Sequence, residues 1–189
     1  MLCNLEENGK EKCFNYWENS DNSEKNSDKY KIRPTVPIQS NFEITYTTEI
    51  INEDITIRNI KYLDKERKIE KTIKQIHYGS WPDHQSLDIN KVYGNILFMF
   101  NLVDNEIGHN PICVHCSAGV GRTGTFIALY NLYRDILNQL HDDNINKINI
   151  SFLNLVRKMK EMRMHLVERE DQYKLIYDFV SKFLQDRNK

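Results

Sequence analysis

Long apolar runs and an excess of charge of one sign are both missing from this sequence. No apolar run approaches the roughly 20 residues that a membrane-spanning helix needs, and no secretory signal peptide opens the chain. Lysine and arginine number 26 against 27 aspartates and glutamates, which gives a formal net charge of −1. We therefore expect no membrane segment in this chain and no nucleic-acid partner.

Cysteine is also scarce, since the chain has only four: Cys3, Cys13, Cys113 and Cys116. Without a secretory signal, these cysteines are expected to be reduced thiols in a cytoplasmic protein. The 189 residues are 40% apolar, which is enough for one domain with a hydrophobic core. No repeat or domain boundary interrupts them, so residues 1–189 are expected to form a single domain.

Hydrophobic periodicity changes from strand-like to helical along the chain. A strand is predicted at MLCNL, a surface loop at residues 18–31, and an antiparallel meander at 41–50, 55–63 and 69–78. In the first meander strand, one half-buried face is expected to hold Phe42, Ile44, Tyr46 and Ile50. Helical spacing follows at residues 89–103, ending near Gly108, and then at 126–140, 152–159 and 173–184. This order predicts an α+β or mixed α/β fold.

A glycine-rich loop, HCSAGVGRTG, stands between a short apolar run, PICVHC, and the helix that begins near Arg122. PICVHC is typical of a strand buried on both faces. Backbone amides of a loop between a strand and a helix start converge on one point, where the helix adds positive charge. Gly119, Gly121 and Gly124 permit the tight turns. The loop is therefore predicted to bind a tetrahedral oxyanion.

The cysteine and the arginine of this loop predict covalent phosphoryl transfer. The positive field lowers the pKa of the Cys116 thiol, which makes it a nucleophile toward a bound phosphoryl group. Arg122 offers a planar fork that matches two phosphate oxygens. The hydroxyl of Thr123 could hydrogen-bond the sulfur and improve it as a leaving group. We expect a phosphate monoester to be the substrate.

A second interpretation of the same segment is a redox or half-metal C-x-x-C motif formed by Cys113 and Cys116. No second Cys/His pair at zinc spacing accompanies it. Cys113 is instead expected to be a small buried residue of the strand, and Cys3 and Cys13 are expected to be packing or surface residues. We predict no metal and no cofactor.

VHCSAGVGRTG resembles the signature of the protein tyrosine phosphatases, in the form of their phosphotyrosine-specific branch. KCFNYW, SWPDH and RMHLVEREDQY are similar to other segments of that family, in the same order. The resemblance implies a mixed, highly twisted β-sheet flanked by helices, with the phosphate-binding loop between the central strand and a helix. It also implies a catalytic domain whose N-terminal part is missing from residues 1–189.

The resemblance implies a role for each matched residue. Cys116 is the nucleophile, Arg122 binds phosphate, and Asp83 is the general acid and then the general base. The implied partners are phosphotyrosine-containing proteins or peptides. The implied substrate-binding residues, besides Arg122 and Asp83, are Ser117, Ala118, Gly119, Val120, Gly121 and Gln172. The implied supporting residues are His115 and Thr123 beside the nucleophile, Trp81 and Lys12 at the acid loop, and Glu7 against Arg122.

The sequence departs from the family pattern at several places. Glu168 replaces the usual water-positioning glutamine, Glu18 replaces a proline, and residues 84–87 lack Gly-Val-Pro. The family's tyrosine-bearing loop would precede this chain, so an exposed edge or apolar patch is expected. Two alternatives to a tyrosine phosphatase stay open: a phosphotyrosine-binding module with little turnover, and a phosphatase of broader specificity.

Overall fold

The computed structural model describes residues 1–17, 41–82, 87–106, 111–141 and 148–187. The predicted surface loop at 18–31, the predicted helix end near Gly108 and the acid-loop residue Asp83 lie outside these ranges. The described elements are β1 (Glu6–Glu7), β2 (Lys10–Glu11), β3 (Phe42–Ile50), β4 (Ile55–Asp64), β5 (Ile69–Tyr78), α1 (Ile89–Glu106), α2 (Gly121–His141), α3 (Phe152–Met162) and α4 (Glu170–Arg187).

The predicted antiparallel meander is confirmed as a sheet of order β3-β4-β5. Ile50 pairs with Thr56 across β3 and β4, and Ile55 pairs with Tyr78 across β4 and β5. Ile55 and Tyr78 are buried because β4 lies in the middle of the sheet and this end of it meets the helices. The expected half-buried face of β3 is wrong toward its end, where Tyr46 is 39% and Ile50 is 76% exposed.

The four predicted helices are confirmed, with α2 as the central one. Buried side chains lie nearly all around its first three turns, including Phe126 and Leu129. The ring of Phe100 on α1 packs edge-on against Phe126 of α2 and Phe179 of α4, with centroids 5.4 and 5.7 Å apart. This aromatic contact holds α1 and α4 against α2. It thereby fixes the N-terminus of α2, where the phosphate-binding loop ends.

The predicted central strand at residues 111–116 is wrong, whereas the predicted combination of a β-sheet with flanking helices is confirmed. Residues 111–116 are not a strand, and both sheets of the described chain are antiparallel. Cys113 is exposed rather than buried. The segment borders the chain start on one side, where the Leu2 amide donates to the His115 carbonyl at 2.9 Å. Burial on both faces would need a layer packed over each face of the segment, whereas residues 111–113 are exposed.

MLCNL is not a strand either, although its first residues lie between β5 and the segment before Cys116. The amide of Tyr78 donates to the Met1 carbonyl at 2.9 Å, while Leu2 bonds to His115. Residues 1 and 2 therefore join the end of β5 to the segment that leads into the phosphate-binding loop. Met1 makes two bonds to β5, because its N-terminus also donates to the Ile76 carbonyl at 2.8 Å, but the bonds are not repeated along the segment as the ladder of a strand requires.

An open apolar cavity of about 510 Å³ lies between the sheet and the helices. Its walls come from β3, β4, β5, α1, α2 and the segment before Cys116, and its apolar lining includes Ile44, Ile60, Ile76, Met99, Val103 and Phe126. Among the helices of the described ranges, none combines the length and the apolar character that crossing a bilayer requires.

Candidate active site

The glycine-rich loop forms a tight turn around the Cys116 sulfur. Residues 117–120 connect the extended segment to α2, which begins at Gly121. Gly119 has φ +71°, a left-handed conformation that a Cβ would strain, and its amide donates to Cys116 Sγ at 3.3 Å. The amides of this loop and the first turn of α2 therefore place positive partial charge beside the sulfur.

Hydrogen bonds to the Cys116 sulfur lower the pKa of its thiol. Burial alone would raise that pKa, because Cys116 is only 7% exposed. The Thr123 hydroxyl donates to Sγ at 3.1 Å. That bond, the amides of Thr123 and Gly119, and the charge of Arg122 outweigh burial, so the net shift of the pKa is downward. Cys116 thus has the electrostatic environment of a reactive thiolate.

Arg122 is buried and held from two directions. Its Nη1 donates to Glu7 Oε1 at 2.7 Å and to the Trp81 carbonyl at 2.8 Å, and its side chain is 4% exposed. The same Glu7 oxygen accepts the Asn4 amide at 3.0 Å. A guanidinium fixed in this way presents its remaining donors in one orientation, which suits bidentate binding of an oxyanion.

His115 is neutral and belongs to a hydrogen-bond chain that ends at the backbone of Cys116. Burial lowers the pKa of His115. Gln75 Nε2 donates to the Tyr16 hydroxyl at 2.6 Å, and that hydroxyl lies 2.8 Å from His115 Nε2. A carbonyl can only accept, so His115 Nδ1–H donates to the Cys116 carbonyl at 3.2 Å, and Nε2 of the neutral ring is left to accept the Tyr16 proton. Tyr16 lies within KCFNYW, and its contact with His115 was not predicted from the sequence.

Gln172 lies against the phosphate-binding loop. Its Oε1 accepts the amides of Glu168 and Arg169 at 2.9 and 3.3 Å, which orients its side-chain amide. A Cβ on Gly121 would lie 2.7 Å from Gln172 Nε2, so the glycine makes this approach possible. Glu168 itself is exposed on the same turn. The structure therefore brings Gln172 next to the loop and leaves the Glu168 side chain exposed.

The turn that carries Glu168 is strained and closely packed. Val167 is buried with φ +57°, an unfavourable backbone conformation for a β-branched residue. A Cβ on Gly124 of α2 would lie 2.5 Å from the Val167 nitrogen. Close contact with α2 holds the turn, and this explains why Gly124 follows Thr123 in the loop motif.

Arg163 also contacts the phosphate-binding loop, and this contact was not predicted from the sequence. Its Nη2 donates to the Ala118 carbonyl at 3.2 Å and lies near Gly119. Arg163 is exposed, so it adds positive charge at the rim. Arg163 opens the segment RMHLVEREDQY, so a basic residue near the glutamine could have been recognised from the sequence.

The acid loop is described only at its beginning. Trp81 is 2% exposed, its ring lies edge-on to Tyr78 at 6.4 Å, and its carbonyl accepts from Arg122. Asp83 lies outside the described residues. Lys12 is half-buried, and most of the acid loop that the family resemblance predicts as its contact also lies outside them. Of the remaining loop residues, Ser117 and Ala118 are exposed and Val120 is half-buried.

Known proteins resemble the chain over almost its whole length. The family model described as "Protein-tyrosine phosphatase" matches residues 1–182. Human receptor-type tyrosine-protein phosphatase H is 32% identical over 98% of this chain and 15% of that protein. Mouse tyrosine-protein phosphatase non-receptor type 18 is 33% identical over 98% of the chain and 38% of its own length. Tyrosine-protein phosphatase 2 of Dictyostelium discoideum is 33% identical over 96% of the chain and 44% of its length.

The fold agrees with these sequence matches. The crystal structure of the catalytic domain of human protein tyrosine phosphatase non-receptor type 18 has a TM-score of 0.74 and 28% identity to this chain. The match covers 96% of this chain and 58% of that one. The chain thus spans less than half the length of the three relatives above. Sequence and fold together show that it belongs to the protein-tyrosine phosphatase family.

Proposed function

We propose that this protein hydrolyses phosphotyrosine in proteins through a phosphocysteine intermediate. The observation that carries the proposal is the pair formed by Cys116 and Arg122. The Cys116 thiol has a lowered pKa, and the Arg122 guanidinium is buried and held in one orientation. Both belong to the segment that forms the phosphate-binding loop. The two groups supply a nucleophile and a phosphate clamp within one short segment.

In the first step, the phosphate of the substrate binds to the amides of residues 117–121 and to Arg122. The Cys116 thiolate attacks phosphorus, an S–P bond forms, and the P–O bond to the tyrosine breaks. The tyrosine oxygen takes a proton from Asp83 as it leaves. Arg122 and the loop amides stabilise the charge on the equatorial oxygens, which is the main source of catalysis for a loose transition state.

In the second step, water attacks phosphorus and the sulfur leaves as a thiolate. Asp83, now ionised, takes a proton from that water, and Gln172 orients it. The Thr123 hydroxyl, 3.1 Å from Sγ, stabilises the leaving thiolate. Inorganic phosphate is released, and Cys116 and Asp83 return to their starting protonation states.

The supporting residues act through these groups rather than on the substrate. Glu7 braces Arg122, and the chain from Tyr16 through His115 positions the backbone of Cys116. We assign Trp81 to the stiffness of the acid loop and Lys12 to a contact with it. Residues 1–189 are proposed to act as one catalytic domain in the reducing cytoplasm, where the Cys116 thiolate survives.

Phosphotyrosine peptides are the proposed substrates. The catalytic domain of the related non-receptor type 18 phosphatase has been solved with HER2 phosphopeptides, and this chain shares its fold. Phosphotyrosyl and phosphothreonyl peptides of otherwise identical sequence test the specificity. Faster turnover of the phosphotyrosyl peptide supports the proposal, and equal rates favour the broader phosphatase.

Single substitutions test the mechanism on an aryl phosphate. Cys116→Ser is expected to abolish turnover, and Asp83→Asn is expected to lower it by about 10²–10⁴-fold, the usual value of a general acid. Cys113→Ser is the matched control, because Cys113 is a free cysteine exposed three residues away. Hydrolysis by Cys116→Ser at the parental rate would refute the proposal.

Glu168 favours the second candidate, a phosphotyrosine-binding module with little turnover. Glu168 is exposed, and its backbone amide donates to the Gln172 side chain, so we place its carboxylate near the phosphate site. There it would repel the phosphoryl oxygens and slow the second step. Rapid-mixing kinetics separate the two functions. One equivalent of phenol followed by almost no turnover indicates a trap, whereas many turnovers per enzyme indicate a phosphatase.

A further inference from the structure

Three metal-ligating side chains meet beside the catalytic loop: Cys3, Cys13 and His115. Within the described ranges, one ligand atom from each lies within 4.8 Å of those of the other two. The cluster contains neither Cys116 nor Arg122, and the mechanism uses neither Cys3 nor Cys13. We propose that this cluster binds Zn²⁺, and that the bound ion lowers the activity of Cys116 through His115.

The donor set selects zinc among the common divalent ions. Two thiolates and an imidazole are borderline-soft ligands, which suit Zn²⁺ and do not suit Mg²⁺ or Ca²⁺. Zn–S bonds of about 2.3 Å and Zn–N bonds of about 2.0 Å separate tetrahedral neighbours by roughly 3.5–3.8 Å. The observed spacing of up to 4.8 Å therefore has to close by at most about 1.3 Å. Water would fill the fourth position.

The surroundings of the three ligands fit a metal site. Cys3 is fully buried, while Cys13 and His115 are half-buried, so an ion has one side from which to enter. The His115 Nδ1 proton is held by the Cys116 carbonyl, which leaves the lone pair on Nε2. A metal-binding histidine usually donates its second ring nitrogen to such an oxygen. His77 Nε2 bonds to the Cys3 carbonyl at 2.9 Å and fixes that ligand from behind.

Zinc would compete with Tyr16 for His115. The Tyr16 hydroxyl caps His115 Nε2 at 2.8 Å, and Tyr16 is 41% exposed, so it has room to turn away. Both thiols would lose their protons as the ion binds. The ring of His115 would move toward the two sulfurs and pull on the backbone of Cys116, to which it is hydrogen-bonded. This coupling to turnover rests on the proposed function, whereas the binding itself does not.

Binding is measured in the Cys116→Ser background, because the catalytic thiolate is itself a zinc ligand. The protein, kept reduced with a phosphine, is titrated with Zn²⁺ against a chromogenic chelator and separately with Co²⁺. We expect one ion per chain and a thiolate-to-cobalt charge-transfer band. Adding Cys3→Ser, Cys13→Ser or His115→Gln is expected to weaken Zn²⁺ binding at least 10-fold, whereas adding Cys113→Ser leaves it unchanged.

Several results would overturn the site. They are the absence of binding, equal affinity in the Cys13→Ser protein, and equal loss with the exposed control Cys113→Ser. Cys3 lies in the core, so Cys13→Ser and His115→Gln decide the matter if Cys3→Ser does not fold. A disulfide between Cys3 and Cys13 that persists in the phosphine buffer would also overturn it, because no thiolates would be left to bind the ion.

The coupling is tested on the protein with Cys116 intact. Zn²⁺ is expected to inhibit aryl phosphate hydrolysis, and Cys13→Ser is expected to raise the inhibitory concentration at least 10-fold without changing basal turnover. Zinc that occupies the site and leaves turnover unchanged would overturn the coupling. A protein without phosphatase activity would refute the proposed function and leave the cobalt and chelator titrations to decide the site.

Discussion

Replacing Glu7 by glutamine removes the negative charge beside Arg122 and keeps nearly the same shape. Glu7 Oε1 accepts two hydrogen bonds, from Arg122 Nη1 at 2.7 Å and from the Asn4 amide at 3.0 Å. A hydrogen bond to a charged group contributes about 1.5–3 kcal/mol, and a neutral one about 0.5–1.5 kcal/mol. Two bonds that lose their charged acceptor therefore predict a loss of about 2–3 kcal/mol in the free energy of unfolding.

Burial makes this change larger than the same change at the surface. The Arg122 and Glu7 side chains are 4% and 10% exposed. The exposed pair of Arg157 and Glu161, at 75% and 62%, is the matched control. Glu161→Gln is expected to cost no more than about 0.5 kcal/mol, the usual value of such a helix pair. Water and counterions already screen the exposed charges but do not reach the buried ones.

Urea unfolding monitored by tryptophan fluorescence measures both variants. Glu7→Gln is expected to lower the midpoint without changing the m-value, because the exposed surface of the unfolded chain stays the same. A loss of about 2–3 kcal/mol corresponds to a decrease in Tm of roughly 4–12 °C for a chain of this size. If Glu7→Gln and Glu161→Gln cost the same within about 0.5 kcal/mol, Glu7 does not brace Arg122 and that assignment is wrong.

Three further substitutions act on the nucleophile, the second chemical step and the packing of the loop. Thr123→Val removes the hydroxyl that donates to Cys116 Sγ at 3.1 Å, so titration should show the thiol pKa rising toward its ordinary value. Glu168→Gln removes an exposed charge and should raise steady-state turnover while the pre-steady-state burst keeps its amplitude. Gly124→Ala places a Cβ 2.5 Å from the Val167 nitrogen and should lower the urea-unfolding free energy by about 1–3 kcal/mol.

Each of these substitutions has a matched control. Thr123→Ser keeps the hydroxyl, so it should keep the low pKa of Cys116, and a rise equal to that of Thr123→Val would contradict the reasoning. Glu170→Gln changes an exposed carboxylate nearby and should leave turnover as it was. Gly94→Ala adds a Cβ with nothing within 4 Å, so it should not destabilise helix α1, because alanine favours helix by about 1 kcal/mol.

Periodic segments were predicted well because one local property decides them. β4 carries its apolar residues in strand-like alternation, and α1 and α4 repeat theirs at helical spacing. Burial at the end of β3 could not be predicted in the same way. Ile50 fits the apolar pattern, yet whether its face is covered depends on which distant residues pack over it.

At residues 111–116, composition predicted a strand that the structure does not have. Its composition is that of a buried strand, but a strand needs partners, and partners are a property of the tertiary structure. Cys113 is exposed because none of the described residues packs over it. Loop chemistry, in contrast, was predictable from Cys116, Arg122 and Thr123, since these residues lie within one short turn.

Contacts between distant residues were not predictable from spacing. Tyr16 and His115 are 99 residues apart, and Arg163 and Ala118 are 45 apart. Cys3, Cys13 and His115 likewise come together only when the chain start packs beside the loop. The contact of Glu7 with Arg122 was expected from the family resemblance alone, because a glutamate in a short hairpin gives no local signal of a buried partner.

The most direct test of the mechanism is the ionisation of the Cys116 thiol in the native protein. The rate of alkylation by iodoacetamide is measured across pH for Cys116 and for the exposed Cys113 in the same sample, with each peptide quantified by mass spectrometry. We expect Cys116 to ionise below the ordinary thiol pKa of about 8.5 and to be protected by vanadate, which should leave the alkylation of Cys113 unchanged. If Cys116 ionises at or above that ordinary thiol pKa and vanadate gives no protection, the loop does not activate its sulfur and the proposed catalysis is wrong.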